Sequence, residues 1–177
     1  MTYGETAADV IERHHTATAY VVAEGRTLLM WHEKLRMWLP PGGHCELNED
    51  PVQAALREAL EETGLRCTII PPLDLLVCSG PAVLPPPAVI LIEDIVRHDQ
   101  PFHQHIDHVY FTRPLEPVDL DGSLPSEHPW RWLTAEELAE AFSLESSDGT
   151  LVPVAEDVRL LGIRAIAAEG AFRPAHA

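Results

Sequence analysis

Three glutamates lie on one side of a segment whose pattern is typical of an α-helix. Glu58, Glu61 and Glu62 are spaced so that on a helix they fall within one stripe about 100° wide. Like charges at this spacing destabilise an isolated helix by about 0.2–0.5 kcal/mol per pair. A divalent cation bound to the stripe would offset that repulsion, and oxygen ligands favour Mg²⁺ or Mn²⁺ over zinc. The alternative is a solvated acidic face that binds nothing.

The sequence around the stripe predicts how the helix begins and ends. Asp50 is a good N-cap, a proline follows at the first helical position, and Gln53 completes a capping box. Gly64 suits the left-handed residue that ends a helix, so we predict a helix over residues 51–63. The preceding Pro40-Pro41-Gly42-Gly43 predicts a loop of specified shape whose glycines are free to adopt positive φ.

Two further residues, Glu49 and Arg57, lie too far apart along the chain to pair within a regular helix. They meet only if the loop before the helix folds back along it, and a guanidinium–carboxylate contact would then fix the loop. The glycines would let the backbone approach a metal closely, so the Gly42 carbonyl is a candidate oxygen ligand.

The whole segment from Gly43 to Leu65 resembles the signature of the Nudix hydrolases, Gly-x5-Glu-x7-Arg-Glu-U-x-Glu-Glu-x-Gly-U, in which U is a bulky aliphatic residue. Seven fixed residue types at fixed spacing argue against the solvated-face alternative. One position departs, because the first U is Ala59. The matching residues are Gly43, Glu49, Arg57, Glu58, Glu61, Glu62, Gly64 and Leu65.

The resemblance implies a fold and a chemistry. The expected fold is α/β, a Nudix-type α/β/α sandwich with a mixed β-sheet, formed as a single domain by residues 1–177. The expected activity is metal-dependent hydrolysis of a nucleoside diphosphate linked to another moiety, with Mg²⁺ or Mn²⁺ as cofactor. Such ions neutralise phosphates and lower the pKa of bound water.

The resemblance also assigns roles to residues. Glu58 and Glu62 are the expected main metal ligands, and Glu61 is a further ligand or the general base, whereas Glu49, Arg57 and Gly43 hold the loop. Family members often add an acidic residue shortly before a Trp-containing strand. The candidate for that extra ligand or base is Glu127, so the predicted catalytic group is Glu58, Glu61, Arg57 and Glu127.

Several residues outside the signature are candidates for contact with substrate. Lys34 and Arg36 precede the glycine loop and could meet phosphates, although a solvated turn explains them as well. His103 and His105 share strand parity with Asp107, so the three could point to one face. The histidines from 98 to 108 could contact phosphate or base, bind a transition metal, or lie exposed on an edge strand.

The remaining pattern predicts mixed strands and helices, which imply a sheet covered on both faces. Trp31 and Trp38 are predicted to lie in the core. The predicted strands are 16–23 and 27–31 as a hairpin, 67–70, 73–78, 89–96, 105–112 and 129–133; the predicted helices are 5–14, 51–63, 134–142 and 154–169, with a loop over 143–153.

Composition excludes several classes of function. The 177 residues contain 12 Lys and Arg against 28 Asp and Glu, a formal net charge of −16, which argues against binding to nucleic acid polymers or anionic membranes. No apolar run approaches the roughly 20 residues of a membrane span. Three cysteines without a disulfide or zinc spacing favour free thiols and a cytoplasmic protein. A homodimer is one of the assemblies left open.

The leading prediction is a pyrophosphohydrolase of nucleoside di- or triphosphates. ADP-ribose or a nucleotide sugar is the alternative substrate class, and a nucleotide-sensing domain without hydrolysis is the alternative outside catalysis. An isoprenyl diphosphate isomerase would need a catalytic cysteine, and none of Cys45, Cys67 and Cys78 is obviously placed for that role.

Overall fold

The computed structural model describes residues 11–72, 75–76, 78–98, 100–122, 124, 129–140 and 142–172. Ten strands and three helices are found in these ranges. They are β1 Glu12–Ala23, β2 Arg26–His32, β3 Met37–Leu39, β4 Gly42–His44, α1 Pro51–Thr63, β5 Cys67–Ile69, β6 Val89–Ile95, β7 His103–Pro114, β8 Trp130–Thr134, α2 Ala135–Ala139, β9 Ser143–Glu145, β10 Leu151–Pro153 and α3 Glu156–Ala171.

The centre of the main sheet is a parallel pair formed by the two longest strands, β1 and β7. Their register runs from Glu12 opposite His103 to Val21 opposite Thr112. The other pairings of this sheet are antiparallel: the strand order is β3-β2-β1-β7-β5, with β4 on β1, β6 on β7 and β8 on β2. The sheet is therefore mixed, as predicted.

Helices cover both faces of this sheet, as alternation along β1 requires. Ala17 and Ala19 belong to the buried cluster that includes α1, whereas Tyr20 and Val22 belong to the cluster that includes Leu161 of α3. The α/β/α arrangement expected from the sequence is confirmed. Trp31 and Trp38 are almost fully buried, and their ring centroids lie 5.9 Å apart.

The predicted N-terminal helix over 5–14 is wrong where it can be compared with the structure. Residues 12–14 are strand, because ten consecutive residues of β1 pair with β7. Residues 5–10 of that prediction lie outside the described residues. The local sequence pattern that predicted a helix was outweighed by this long pairing between strands.

Two other predicted elements also differ from the structure. No strand is found among the described residues of 73–78, which are 75, 76 and 78. The predicted loop over 143–153 instead contains the hairpin of β9 and β10. Its turn is held by Asp148, which accepts hydrogen bonds from the Ser146 hydroxyl and the Thr150 N–H. Among the described residues, no helix combines the length and the apolar character needed to cross a membrane.

Candidate functional site

The sequence sets both ends of α1, the helix that carries the glutamates. The Asp50 carboxylate accepts hydrogen bonds from the N–H groups of Val52 and Gln53, and the Gln53 side-chain oxygen accepts one from the Asp50 N–H. At the other end, Gly64 adopts φ 73° and donates its N–H to the Leu60 carbonyl. The bounds are those predicted, since each cap satisfies backbone groups that a helix end leaves free.

Small side chains bring α1 close to the sheet. Ala55 and Ala59 of the helix are fully buried in one cluster with Ala17 and Ala19 of β1. Ala59 is the position where the signature has a larger aliphatic residue. In this chain that position lies in a contact made largely of methyl groups, which allows a short distance between helix and strand.

Arg57 forms the contact that holds the loop against the helix. Its Nη2 lies 2.7 Å from Oε1 of Glu49, and its Nε lies 3.2 Å from both oxygens of that carboxylate. The same Nη2 donates to the His44 carbonyl at 3.0 Å, so Arg57 also ties α1 to β4. Hydrogen bonding to Arg57 lowers the pKa of Glu49. The loop therefore folds back along the helix, the arrangement that the spacing of these two residues required.

Arg57 also contacts two glutamates of the stripe. Its Nη1 donates to Oε1 of Glu58 at 2.7 Å and to Oε2 of Glu61 at 3.1 Å. Glu58 is mostly buried, whereas the Glu61 side chain is 59% exposed. The second oxygen of each carboxylate is then the one that could serve a metal ion.

Gly42 and Gly43 lie in a strand, whereas the sequence predicted a loop of specified shape. Neither has positive φ, and both pair with β1 as part of β4. The reason for glycine here is close approach. A Cβ on Gly43 would collide with the Glu58 carboxylate, and a Cβ on Gly42 would lie 2.9 Å from the Ala17 carbonyl oxygen.

Replacing Gly43 by alanine tests this close approach. The added methyl group must push the Glu58 carboxylate aside, so we expect turnover to fall at least about tenfold. The melting temperature should change little, because the flexible end of a glutamate can move at small cost. Gly80→Ala is the matched control, since a Cβ there meets nothing within 4 Å. A Gly43→Ala protein as active as the control would contradict this role.

Glu62 differs from its two neighbours because its carboxylate does not share Arg57. Its Oε2 accepts a hydrogen bond from the Gly42 N–H at 3.1 Å. Burial, together with the charges of Glu58 and Glu61, raises the pKa of Glu62 to about 7. A half-buried carboxylate whose ionisation is disfavoured by two adjacent anions suits a divalent cation, and the hard oxygen donors fit Mg²⁺ or Mn²⁺.

Glu62 lines a cavity of about 760 Å³ on the α3 side of the sheet. Lys34, His103 and His105 also line it, as do Gly42 and Gly43. Arg36 points elsewhere: its guanidinium pairs with Asp148 at 2.9 Å and lies over the Trp31 ring. Glu127 lies outside the described residues.

Three imidazoles converge on the wall of this cavity. One ligand nitrogen from each of His14, His103 and His105 lies within 4.8 Å of the other two. Burial, together with the charges of the neighbouring histidines, lowers the pKa of His105 to about 4. The strand β7 is an inner strand and His103 is buried, so the edge-strand explanation of these histidines is wrong.

Several residues that line the cavity were not predicted from the sequence. His14 and Glu93 line the cavity, as does His44, whose ring centroid lies 4.8 Å from that of His105. The signal that could have found His14 is strand parity, because it has the parity of the cavity-lining Thr16 and Tyr20 in β1. The predicted N-terminal helix hid that alternation. None of the described residues that line the cavity is a cysteine.

The mixed sheet between helices gives the chain an α/β fold. Its acidic helix α1 contributes Glu62 to the cavity, which is therefore a polar site. The sequence profile of the NUDIX domain matches residues 12–155. The chain belongs to the Nudix hydrolase family.

Known relatives are similar over much of the chain. Phosphatase NudJ from Escherichia coli is 30% identical over 144 residues, which cover 75% of this chain and 76% of that protein. RNA pyrophosphohydrolase from Roseobacter denitrificans is 31% identical over 117 residues, 58% of this chain. This chain spans 63% of the length of that relative, and only 10% of the length of the m7GpppN-mRNA hydrolase NUDT17 of Xenopus laevis.

A solved structure supports the same family. The crystal structure of a NUDIX-family hydrolase from Clostridium perfringens matches with a TM-score of 0.65 at 29% identity, covering 89% of this chain and 98% of that one.

Proposed function

We propose that the protein hydrolyses a phosphoanhydride bond of a small nucleotide, a nucleoside di- or triphosphate, with the help of Mg²⁺ or Mn²⁺. The observation that carries the proposal is the position of Glu62. Its half-buried carboxylate is hydrogen-bonded to Gly42 and lines a cavity of about 760 Å³. Ligand pockets for small molecules have volumes of about 300–1,000 Å³.

Each residue of the stripe has a part in this proposal. Glu62 and Glu58 would hold the ion, with the Gly42 carbonyl as a further oxygen ligand. Glu61 would be a third ligand or take the proton of the attacking water, for which its exposure leaves room. Arg57 and Glu49 hold the loop, and Glu127 stays a candidate for a further ligand or base. A bound ion would neutralise phosphate charge and lower the pKa of water.

Charge and cavity lining support a small nucleotide over a polymer. A chain with a net charge of −16 repels RNA or DNA along most of its surface, whereas a short polyphosphate needs only local compensation. Lys34 supplies a positive charge at the cavity, and His103 and His105 can contact phosphate or base. Arg36 is a weaker candidate for substrate binding because Asp148 already holds it.

The proposal is tested with a panel of substrates and Mg²⁺ or Mn²⁺. The panel contains nucleoside triphosphates, deoxynucleoside triphosphates, nucleoside diphosphates, ADP-ribose, nucleotide sugars and RNA with a 5′-triphosphate. Release of phosphate or pyrophosphate from the first three classes is the expected result. Preference for ADP-ribose or sugars would favour the alternative substrate class, and preference for RNA would overturn the charge argument. Ligand-induced thermal stabilisation without any product would indicate a nucleotide-sensing domain.

Binding of the ion should depend on pH through Glu62. Its pKa is raised from 4.5 to about 7, so below pH 7 a proton must leave before the ion binds. Each pH unit below 7 then weakens apparent affinity by up to about tenfold. Without metal, a rise in pH has an unfavourable effect on the stability of the fold. Because the pKa of Glu62 is raised in the folded state, this group destabilises the fold as pH rises from 4.5 through 7.

The expected result is that Mg²⁺ raises the melting temperature more at pH 8 than at pH 5.5. Thermal unfolding with and without Mg²⁺ at both values measures this difference. Glu62→Gln should remove most of it. Equal Mg²⁺-induced shifts at the two pH values in the unchanged protein would contradict the assignment of Glu62 as a ligand.

Three further expectations are part of the proposal. The three cysteines are free thiols, which supports a reducing, cytoplasmic location. A single domain over residues 1–177 and a homodimer stay predictions. Gel filtration with light scattering measures the assembly.

A further inference from the structure

We propose that His14, His103 and His105 form a second metal site, specific for a Zn²⁺-class transition-metal ion and separate from the glutamate stripe. The proposal starts from topology. His105 is the register partner of His14 in the parallel β1–β7 pair, and His103 lies two residues before His105 on the same face. Three imidazoles from two central strands thus meet on a rigid part of the sheet.

The distances suit a single ion. The ligand nitrogens lie within 4.8 Å of one another, and no other described group of three or more His, Cys, Asp or Glu side chains is as compact. Tetrahedral zinc with bonds of about 2.0–2.1 Å needs nitrogens roughly 3.3 Å apart. Side-chain rotations that close the longest separation by about 1.5 Å are therefore sufficient.

The hydrogen bonds of two rings leave one nitrogen of each ring available. His103 Nδ1 lies 2.9 Å from the Pro101 carbonyl oxygen, which can only accept, so this nitrogen carries the proton and Nε2 keeps its lone pair. His14 Nε2 lies 3.0 Å from a Glu12 carboxylate oxygen, which in the same way leaves Nδ1. Metal-binding histidines are held by such contacts to carbonyl and carboxylate groups.

The third ring has a nitrogen without any partner. His105 Nε2 is buried and has no hydrogen bond within the described structure. A buried polar atom without a partner is costly, and a metal–nitrogen bond would satisfy it.

The chemistry of the donors separates this site from the stripe. Imidazole nitrogen suits Zn²⁺, Ni²⁺, Cu²⁺ or Co²⁺, whereas Mg²⁺ prefers the carboxylate oxygens of α1. Three protein ligands leave a fourth position, and the three histidines line the same cavity as Glu62. An ion held by the three histidines would then contact a phosphate of a nucleotide bound in the cavity, a role that rests on the proposed function.

The test is metal binding to the full chain, purified without a histidine tag and stripped with a chelator. Zn²⁺ titration by calorimetry should give one ion per chain, and Co²⁺ should give the visible absorption of a nitrogen-bound tetrahedral ion. His105→Gln and His14→Gln should each weaken Zn²⁺ binding at least about tenfold. These measurements need no turnover, so their failure is distinct from failure of the proposed hydrolysis.

The chain supplies matched controls. His15 and His108 lie on the opposite face of the same two strands, and their ring nitrogens are 3.0 Å apart. The double variant His15→Gln/His108→Gln should keep full Zn²⁺ affinity, as should Glu62→Gln. Thermal unfolding and circular dichroism show whether each variant is folded. If His105→Gln misfolds, the Zn²⁺ affinity of His14→Gln tests the proposal, because His14 is partly exposed.

Four outcomes would overturn the proposal. They are absence of Zn²⁺ binding to the unchanged protein, full affinity in a folded His14→Gln or His105→Gln variant, an equal loss in the His15/His108 control, and a loss in Glu62→Gln that places the zinc on the stripe.

Discussion

Glu62→Gln is expected to lower kcat with Mg²⁺ by about 10²–10³-fold while the fold stays intact, because the change removes the carboxylate that we propose as a metal ligand and little else. The glutamine oxygen can still accept the Gly42 N–H, now held 3.1 Å from Oε2 of Glu62. The variant also loses a half-buried charge whose pKa is raised to about 7. Its melting temperature without metal at pH 8 should therefore equal or exceed that of the unchanged protein.

Steady-state kinetics on the best substrate and thermal unfolding measure the two halves of this result. The control is Glu140→Gln, the same chemical change at an exposed residue after α2. Turnover of Glu62→Gln close to that of the control would refute the assignment of this carboxylate. A lower melting temperature would instead assign Glu62 a structural role.

Arg57→Ala is expected to reduce both stability and activity, because one guanidinium holds the loop and two glutamates of the stripe. Its contacts with Glu49, Glu58 and Glu61 are 2.7–3.2 Å long. Removing it leaves three carboxylates close together without a cation. Since Arg57 is 24% exposed, solvent screens part of that repulsion, and the expected loss is about 1–3 kcal/mol.

Arg57→Lys separates the effect of the positive charge from the effect of the guanidinium geometry. Lysine keeps a positive charge but cannot span Glu49, the His44 carbonyl and the stripe at once, so it should recover little of the lost turnover. Denaturant unfolding and kcat at saturating Mg²⁺ measure the two effects, with Arg164→Ala on the exposed side of α3 as control. Full recovery by lysine would show that only the charge matters.

Local signals in the sequence were sufficient to predict α1 and its surroundings. The residues that cap the helix lie within one turn of its ends; they are Asp50, Gln53 and Gly64. Both ends can therefore be predicted without knowing the fold. For Glu49 and Arg57, the spacing gave the condition that the loop must fold back along the helix, and the resemblance to the Nudix signature implied that they hold the loop. The common face of His103 and His105 followed from strand alternation.

What the sequence did not predict depends on contacts between distant residues. The first strand was placed four residues too late because its N-terminal part pairs with β7, far along the chain. The glycines of β4 were predicted to be free to adopt positive φ, but they are needed for their small size. Without knowing what packs against a glycine, the two reasons for its presence look the same in the sequence. His14 was not predicted as a cavity residue because it lies in that N-terminal part of β1.

The pairing of Glu12 with His103 also affects when the cavity can form during translation. The strands β1 and β2 are neighbours in sequence, whereas β7 must close a loop of some ninety residues before it pairs with β1. A nascent chain that ends before β7 therefore lacks the strand that carries His103 and His105 on the cavity wall. The complete cavity is expected to form only after this strand has paired with β1.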